Sequence, residues 1–429
     1  AQVAMTRGKD YYRVAREAGV KDPVLDQLVD EALADNLTLR SAALRVLQAR
    51  QQYLIVANLR LPQEQYLGAS AAVTDPGESS GVSAAYSASF NLTWEIDAWG
   101  RLRRQVESVS AAYDASLSSY DGVLVLVIGQ VAQTYLLIRT TEQRLAAARQ
   151  NLEYQNESVR ISEAKLEAGD ISSLDVEQGL TLVYTTQASI ALLEQSLQQL
   201  KVSLAILLGQ PPQDLSARLG PPGPVPAASP LVALGMPQDL IRRRPDIRVA
   251  ERRAAAQCAQ IGVAVSDLYP AFGLTGSIGP VVSTATEGQN FLDMFNLHNV
   301  AFTLGGFMRW NLFNWGRIRE NVRLQDAAFQ QSIEDYRQVV IQAQGEVESA
   351  LIAYFSSLQQ LAALQQAADA AQRSVDVATE QYQDGLVDYN TVVSTLRALV
   401  SQQDQLASTQ GAVAVNLVGV YLSLGGGWE

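Results

Sequence analysis

Cys258 and His298 are the only cysteine and the only histidine in the chain, and they bound its chemistry. One of each leaves no disulfide framework, zinc finger or His-rich metal site within a single chain. Cys258, in AAAQCAQIG, reads as a small buried thiol on a helix, and His298, in FNLHNV, as a loop residue. The phosphate-cradling patterns GxGxxG and GxxxxGK[ST] are missing, as is the GxSxG nucleophile turn. Carboxylates are plentiful, but no two stand out as an acid–base pair. With only four methionines besides, the chain is a poor relay for soft metals, which travel on thiolates and thioethers. The expectation is no enzyme, no cofactor and no metal.

Forty-four acidic residues against 32 basic ones give a net charge of −12. Phosphate neutralisation needs clustered Lys and Arg, and no such stripe is present, so nucleic acid is not an expected partner. An apolar share of 48% with 18% charged residues is too oily for disorder. Mean hydropathy of +0.01 is too polar for a bundle of membrane helices. The longest purely apolar run, Val123 to Ile128, falls far short of the roughly 18 residues a spanning helix needs. The opening AQVAMTRGKDYY contains no signal peptide, but a mature secreted protein would begin the same way.

The elements are written twice. Trp94, Trp99, Gly100 and Arg101 recur 216 positions later as Trp310, Trp315, Gly316 and Arg317. The same offset carries Tyr120 to Tyr336, Gly169 to Gly385 and Leu208 to Leu424 without a gap. Upstream the offset is 208, taking Leu39 to Ile247 and Pro62 to Pro270. Seven of the 14 prolines lie between Pro211 and Pro230. The chain therefore divides into a first repeat (1–210), a Pro-rich linker (211–235) and a second repeat (236–429).

Each repeat opens with an amphipathic helix, over 26–60 and 239–268. A β-hairpin follows, over about 64–95 and 272–312. In its return strand Tyr86, Ala88, Phe90, Leu92 and Trp94 alternate with Ser87, Ser89, Asn91, Thr93 and Glu95; in the second copy Phe302, Leu304, Gly306, Met308 and Trp310 alternate with Ala301, Thr303, Gly305, Phe307 and Arg309. Ten residues is the length of a tilted membrane-spanning strand. Next comes a proline-free helix of about 97–168 or 314–384, with apolar residues at sevens: Leu117, Leu124, Val131, Ile138, Leu145 and onward. At 1.5 Å per residue the first would be about 105 Å long. Gly169 and Gly385 sit where a left-handed cap ends these helices. Ser172 or Ser173, and Asp388, then start shorter helices of about 173–208 and 388–424. Four strands cannot close a barrel, and an open edge in lipid costs several kcal/mol per unpaired group. Several chains would have to share one barrel. Trp94, Trp99, Trp310 and Trp315 stand at the strand-to-helix junctions, the place of an interfacial belt.

This arrangement resembles the TolC/OprM family of bacterial outer-membrane efflux channels over almost the whole chain. The most specific segments are LIRRRPDIRVAE (240–251), IGVAVSDLYPAFGLTGSIG (261–279), WEIDAWGRLR (94–103), the Gly-centred tips and LGGGW (424–428). The resemblance implies a mainly α chain with transmembrane β, a homotrimer whose 12-stranded barrel in outer-membrane lipid continues into a periplasmic barrel of 12 helices. It implies a periplasmic adaptor and an inner-membrane pump as partners, a small-molecule cargo such as drugs, and often a lipidated N-terminal cysteine. It also implies a shut inner end. Relatives place acids six and nine positions after the second tip glycine, where this chain has Thr391 and Ser394. Asp175, six after the first glycine, keeps its acid, and Tyr382 matches the tyrosine that bonds it. Asp388, Tyr389, Asn390 and Arg397 complete the candidate gate. Gly169, Asp170, Gly385 and Leu386 form the candidate adaptor-docking tips. A soluble coiled-coil scaffold and a protein-secretion tunnel of the same family are the alternatives.

Overall fold

The computed structural model describes residues 22–75, 77, 82–226, 243–285 and 289–425. Two helices, α1 (Pro23–Asp35) and α2 (Leu37–Asn58), precede strands β1 (Glu64–Thr74) and β2 (Ser83–Ile96). The first long helix α3 (Arg101–Glu167), the shorter α4 (Ser173–Leu207) and the single turn α5 (Ser216–Leu219) follow. The second repeat supplies α6 (Pro245–Ser266), β3 (Ala271–Ser283), two 3-10 turns, β4 (Val300–Arg309), α7 (Arg317–Gln383) and α8 (Tyr389–Ser423). The repeated helices match in length, at 67 residues for α3 and α7 and 35 for α4 and α8. Residues 227–242, which hold Pro230 and the start of LIRRR, lie outside the described residues, as do 426–428 of LGGGW.

The helix expected over 26–60 is two helices. Asn36 breaks it, with ψ at 121°. Its Oδ1 accepts the Leu39 N–H at 2.9 Å, and its Nδ2 donates to the Leu207 carbonyl at 2.7 Å. A side chain that caps the start of α2 and also holds the last carbonyl of α4 outcompetes continuation of one helix through its own position. The long helices also begin later than expected. Asp97 receives the Leu102 and Arg103 N–H groups at 2.9 and 3.0 Å, so α3 starts beyond it.

Contacts gather the chain into two compact units that cut across the repeats. One comprises the residues up to Leu44, Ser119–Ile247 and Val339 onward; the other comprises Arg45–Ser118 and Arg248–Gln338. The first unit is helical. Heptad positions Leu124, Val131, Ile138, Val176, Val392 and Leu399 lie in its interior. It also buries Arg139, which donates to the Leu219 and Pro221 carbonyls and pairs with Glu142 at 2.8 Å. Beside it the Tyr135 hydroxyl donates to Asp22 at 2.5 Å; burial first, then that bond, pushes its pKa up to about 12. Helices α3 and α8 each contain an 18-residue window apolar enough to cross a bilayer, and 56% of the α3 window is buried inside the chain.

The second unit holds the sheet, ordered β1-β2-β3-β4 and antiparallel throughout. The central β2–β3 pairing joins the two repeats. Register places Leu67 opposite Phe90, Phe90 opposite Ile278 and Ile278 opposite Phe302. Since side chains alternate faces, the whole row projects to one side, as do Tyr86, Leu92, Trp94, Leu274, Leu304 and Met308. The opposite side carries Ser70, Ser87, Asn91, Thr93, Thr275, Ser277 and Thr303.

Candidate channel gate and membrane face

The two tips have the same backbone. Gly169 and Gly385 take φ of +82° and +76°. Asp170 N–H returns to the Lys165 carbonyl at 2.9 Å and Gly169 N–H to Leu166 at 3.0 Å; Leu386 and Gly385 repeat this with Gln381 and Tyr382 at 2.8 and 3.2 Å. These are Schellman caps, which require the left-handed residue that glycine supplies. Nothing stands within 4 Å of a Cβ placed on either glycine, so their requirement is conformational rather than spatial. Asp170 and Leu386 are exposed.

Behind the tips the candidate gate residues separate into two groups. Tyr382 and Tyr389 are buried, their rings 5.3 Å apart, in a cluster with Leu182, Val392 and Leu396. Lys165 fastens this cluster: its Nζ donates to the Tyr382 carbonyl at 2.7 Å and lies 4.2 Å from the ring centre. One ammonium thus caps the end of α7 and holds an aromatic face. The Tyr382 hydroxyl is buried without a well-formed hydrogen bond. Burial pushes its pKa up, Ser162 opposes, and the charges of Tyr389 and Asp175 add to the rise. Within one chain Asp175 does not bond it; its carboxylate instead accepts the Ser172 N–H and Oγ–H, both at 3.2 Å, in a capping box.

Asp388, Asn390, Ser394 and Arg397 form the second, exposed group. Asp388 caps α8, accepting the Thr391 N–H and Oγ–H at 3.0 and 2.8 Å, and these bonds hold its carboxyl below the usual carboxylate range. Thr391 is therefore a partner of the cap, and Ser394 donates to its carbonyl at 2.8 Å.

Sequence reasoning missed Lys165, Ser158 and Gly179. Ser158 donates to the Tyr389 hydroxyl at 3.3 Å, and a Cβ on Gly179 would meet that hydroxyl and Val159 at 2.5 and 2.8 Å. A glycine inside a helix is the one available signal, since it costs about 1 kcal/mol against alanine and so asks for a packing reason.

At the strand ends Trp99 donates to the Pro270 carbonyl at 2.8 Å and stacks on Tyr269 at 4.7 Å. Trp310 donates to Leu268 at 3.1 Å. Trp94 lies on the apolar sheet face opposite Leu274. Trp315, at φ 50°, is 97% exposed. The repeats differ at this junction: where Asp97 caps α3, the second copy has the exposed Phe313. His298 sits in a short 3-10 turn. Cys258 is not buried as expected but exposed, although Ala254 one turn before it and Ala259 beside it are both buried in α6. Among the described residues no three His, Cys, Asp or Glu form a metal cluster.

Long paired helices, together with a sheet whose one face is apolar, define a membrane channel of the helical-duct class. The outer membrane efflux protein family matches residues 28–210 and 236–426, and the chain belongs to that family. It is 32% identical to the pyoverdine export outer membrane protein OpmQ of Pseudomonas putida, covering 95% of this chain and 87% of that one. Against the toluene efflux pump outer membrane protein TtgI of another Pseudomonas putida strain, identity is 30%, covering 99% and 88%. The solved outer-membrane channel OprN superimposes with a TM-score of 0.90 at 32% identity, covering 96% and 92%. The chain is an outer-membrane channel protein and not an enzyme.

Proposed function

We propose that the chain is the outer-membrane exit duct of a tripartite efflux system. Three copies share one barrel of strands and one tube of helices, and small amphiphiles pass through it without chemistry. An inner-membrane pump and a periplasmic adaptor deliver the cargo; the adaptor meets Gly169, Asp170, Gly385 and Leu386 first. The row Leu67, Phe90, Ile278 and Phe302 carries this reading: its members are 79%, 44%, 53% and 79% exposed, yet all apolar and on one face of the sheet. A soluble scaffold would hold that face in water, where burying it is worth about 25 cal/mol per Å². Strands β1 and β4 each present a free edge, which lipid does not tolerate and neighbouring copies would pair. Relatives named for pyoverdine export and toluene efflux support a small-molecule cargo.

The resting entrance is held shut by Lys165 on Tyr382, with Tyr389 packed beneath. Asp175, Asp388, Asn390, Thr391, Ser394 and Arg397 supply the polar rim, and Trp94, Trp99, Trp310 and Trp315 the interfacial belt. Deleting the chain from its host should raise retention of an amphiphilic fluorescent dye, and restoring it should reverse the effect. Retention unchanged for every small amphiphile tried would overturn the proposed cargo class.

A further inference from the structure

The repeat provides an internal template for a contact that one chain cannot complete. Helices α3 and α8 come from different repeats and pack together in the helical unit. Gln143 and Gln410, Arg144 and Asp404, and Asn151 and Gln403 are hydrogen-bonded across this pair. The pair approaches closely at Gly411 beside Thr140 and at Gly129, where a Cβ would overlap the Leu422 side chain. Moved along the gapless 216-residue offset, the two helices become α7 and α4, Gly129 becomes Gly345, and Leu422 becomes Ile206.

Among the described residues the contact is not made at these counterpart positions. Gly345 has nothing within 4 Å of its Cβ position and lines an open groove of about 800 Å³ with Gln342, Glu346, Ser349, Gly419 and Leu422. Ile206 is 62% exposed. The surroundings follow the same rule. Leu136 on α3 is fully buried while its repeat mate Ile352 on α7 is 60% exposed; Val418 on α8 is 8% exposed and its mate Val202 on α4 is 41% exposed. Apolar residues have been kept at positions that only a further helix would cover. The occupant with the matching spacing is α4 of another copy.

We propose that Ile206 of one chain seats on Gly345 of the next, as the between-chain counterpart of Leu422 on Gly129. The inference rests on the trimeric reading above and adds the register of the interface. In a Cys258→Ser background, Gly345→Cys with Ile206→Cys, treated with a short bis-maleimide, should give a denaturing-gel ladder of two and three linked chains. Gly129→Cys with Leu422→Cys should link only within the chain and give no ladder. Gly345→Cys with Leu192→Cys, about 21 Å along α4 at 1.5 Å per residue, should also give none. No ladder at Ile206, or an equal one at Leu192, from a parent that runs as a heat-sensitive trimer would overturn the register while sparing the trimer. A parent that stays monomeric would overturn the trimeric reading and this contact with it. Independently of crosslinking, Ile206→Asp should lower the temperature at which trimers dissociate and Leu192→Asp should not. An equal effect of the two would contradict the proposed seat.

Discussion

At the residue scale the decisive contact is the ammonium of Lys165. A hydrogen bond involving a charged group is worth about 1.5–3 kcal/mol, and the aromatic face beneath it adds about 0.5–1 at a partly exposed site. Lys165→Met should therefore loosen the end of α7 and raise single-channel conductance in a planar bilayer. Tyr382→Phe should leave conductance as it is, because among the described residues the hydroxyl makes no well-formed hydrogen bond, only a weak contact with Ser162. A higher conductance for Tyr382→Phe would instead assign that hydroxyl a partner on a neighbouring chain, Asp175 first. Gly179→Ala tests the packing below. Its methyl group would enter the space of the Tyr389 hydroxyl and Val159, and overpacking of this kind costs about 1–3 kcal/mol. The expected result is a lower apparent melting temperature in detergent; an unchanged one would mean the tyrosine swings aside freely. Gly179, a glycine inside a helix, was a readable signal for close packing, but the Lys165 contact was not. Lys165 falls in a helix-ending turn where a basic residue is ordinary, and nothing local to KLEAG announces a partner more than 200 positions away.

At the scale of elements the sequence was far more legible. Apolar residues at sevens, tip glycines followed by capping residues, and alternation over ten residues each mark their element through local geometry, and the bounds of α3, α4, α7 and α8 fall within a few residues of those expected. The failures are long-range. Asn36 ties its side chain to a distant carbonyl, that of Leu207, and Cys258 is exposed although the buried Ala254 stands one turn before it on α6. Neither depends on neighbours in sequence. The tips carry the element-scale prediction. Gly169→Val with Gly385→Val places β-branched residues at φ near +80°, which strains both turns while leaving the sheet and heptad packing untouched. Normal assembly with lost crosslinking to the adaptor and lost efflux is expected. Full efflux from an assembled double variant would show that the tips are turns and not a docking surface.

For the whole molecule, charge and edges matter more than any single contact. A net charge of −12 per chain becomes −36 for three copies, and a closed lumen focuses such a potential. Reversal potentials under a salt gradient should show a cation preference; a clear anion preference would mean that the carboxylates lie on the outside. The central claim is that four strands per chain, apolar on one face and open at both edges, become a barrel only when chains combine. Native mass spectrometry of the complex, released from a mild detergent micelle, tests this most directly. The account predicts three times the mass of one chain with no stable monomer, and a folded monomer or dimer as the dominant species would contradict it.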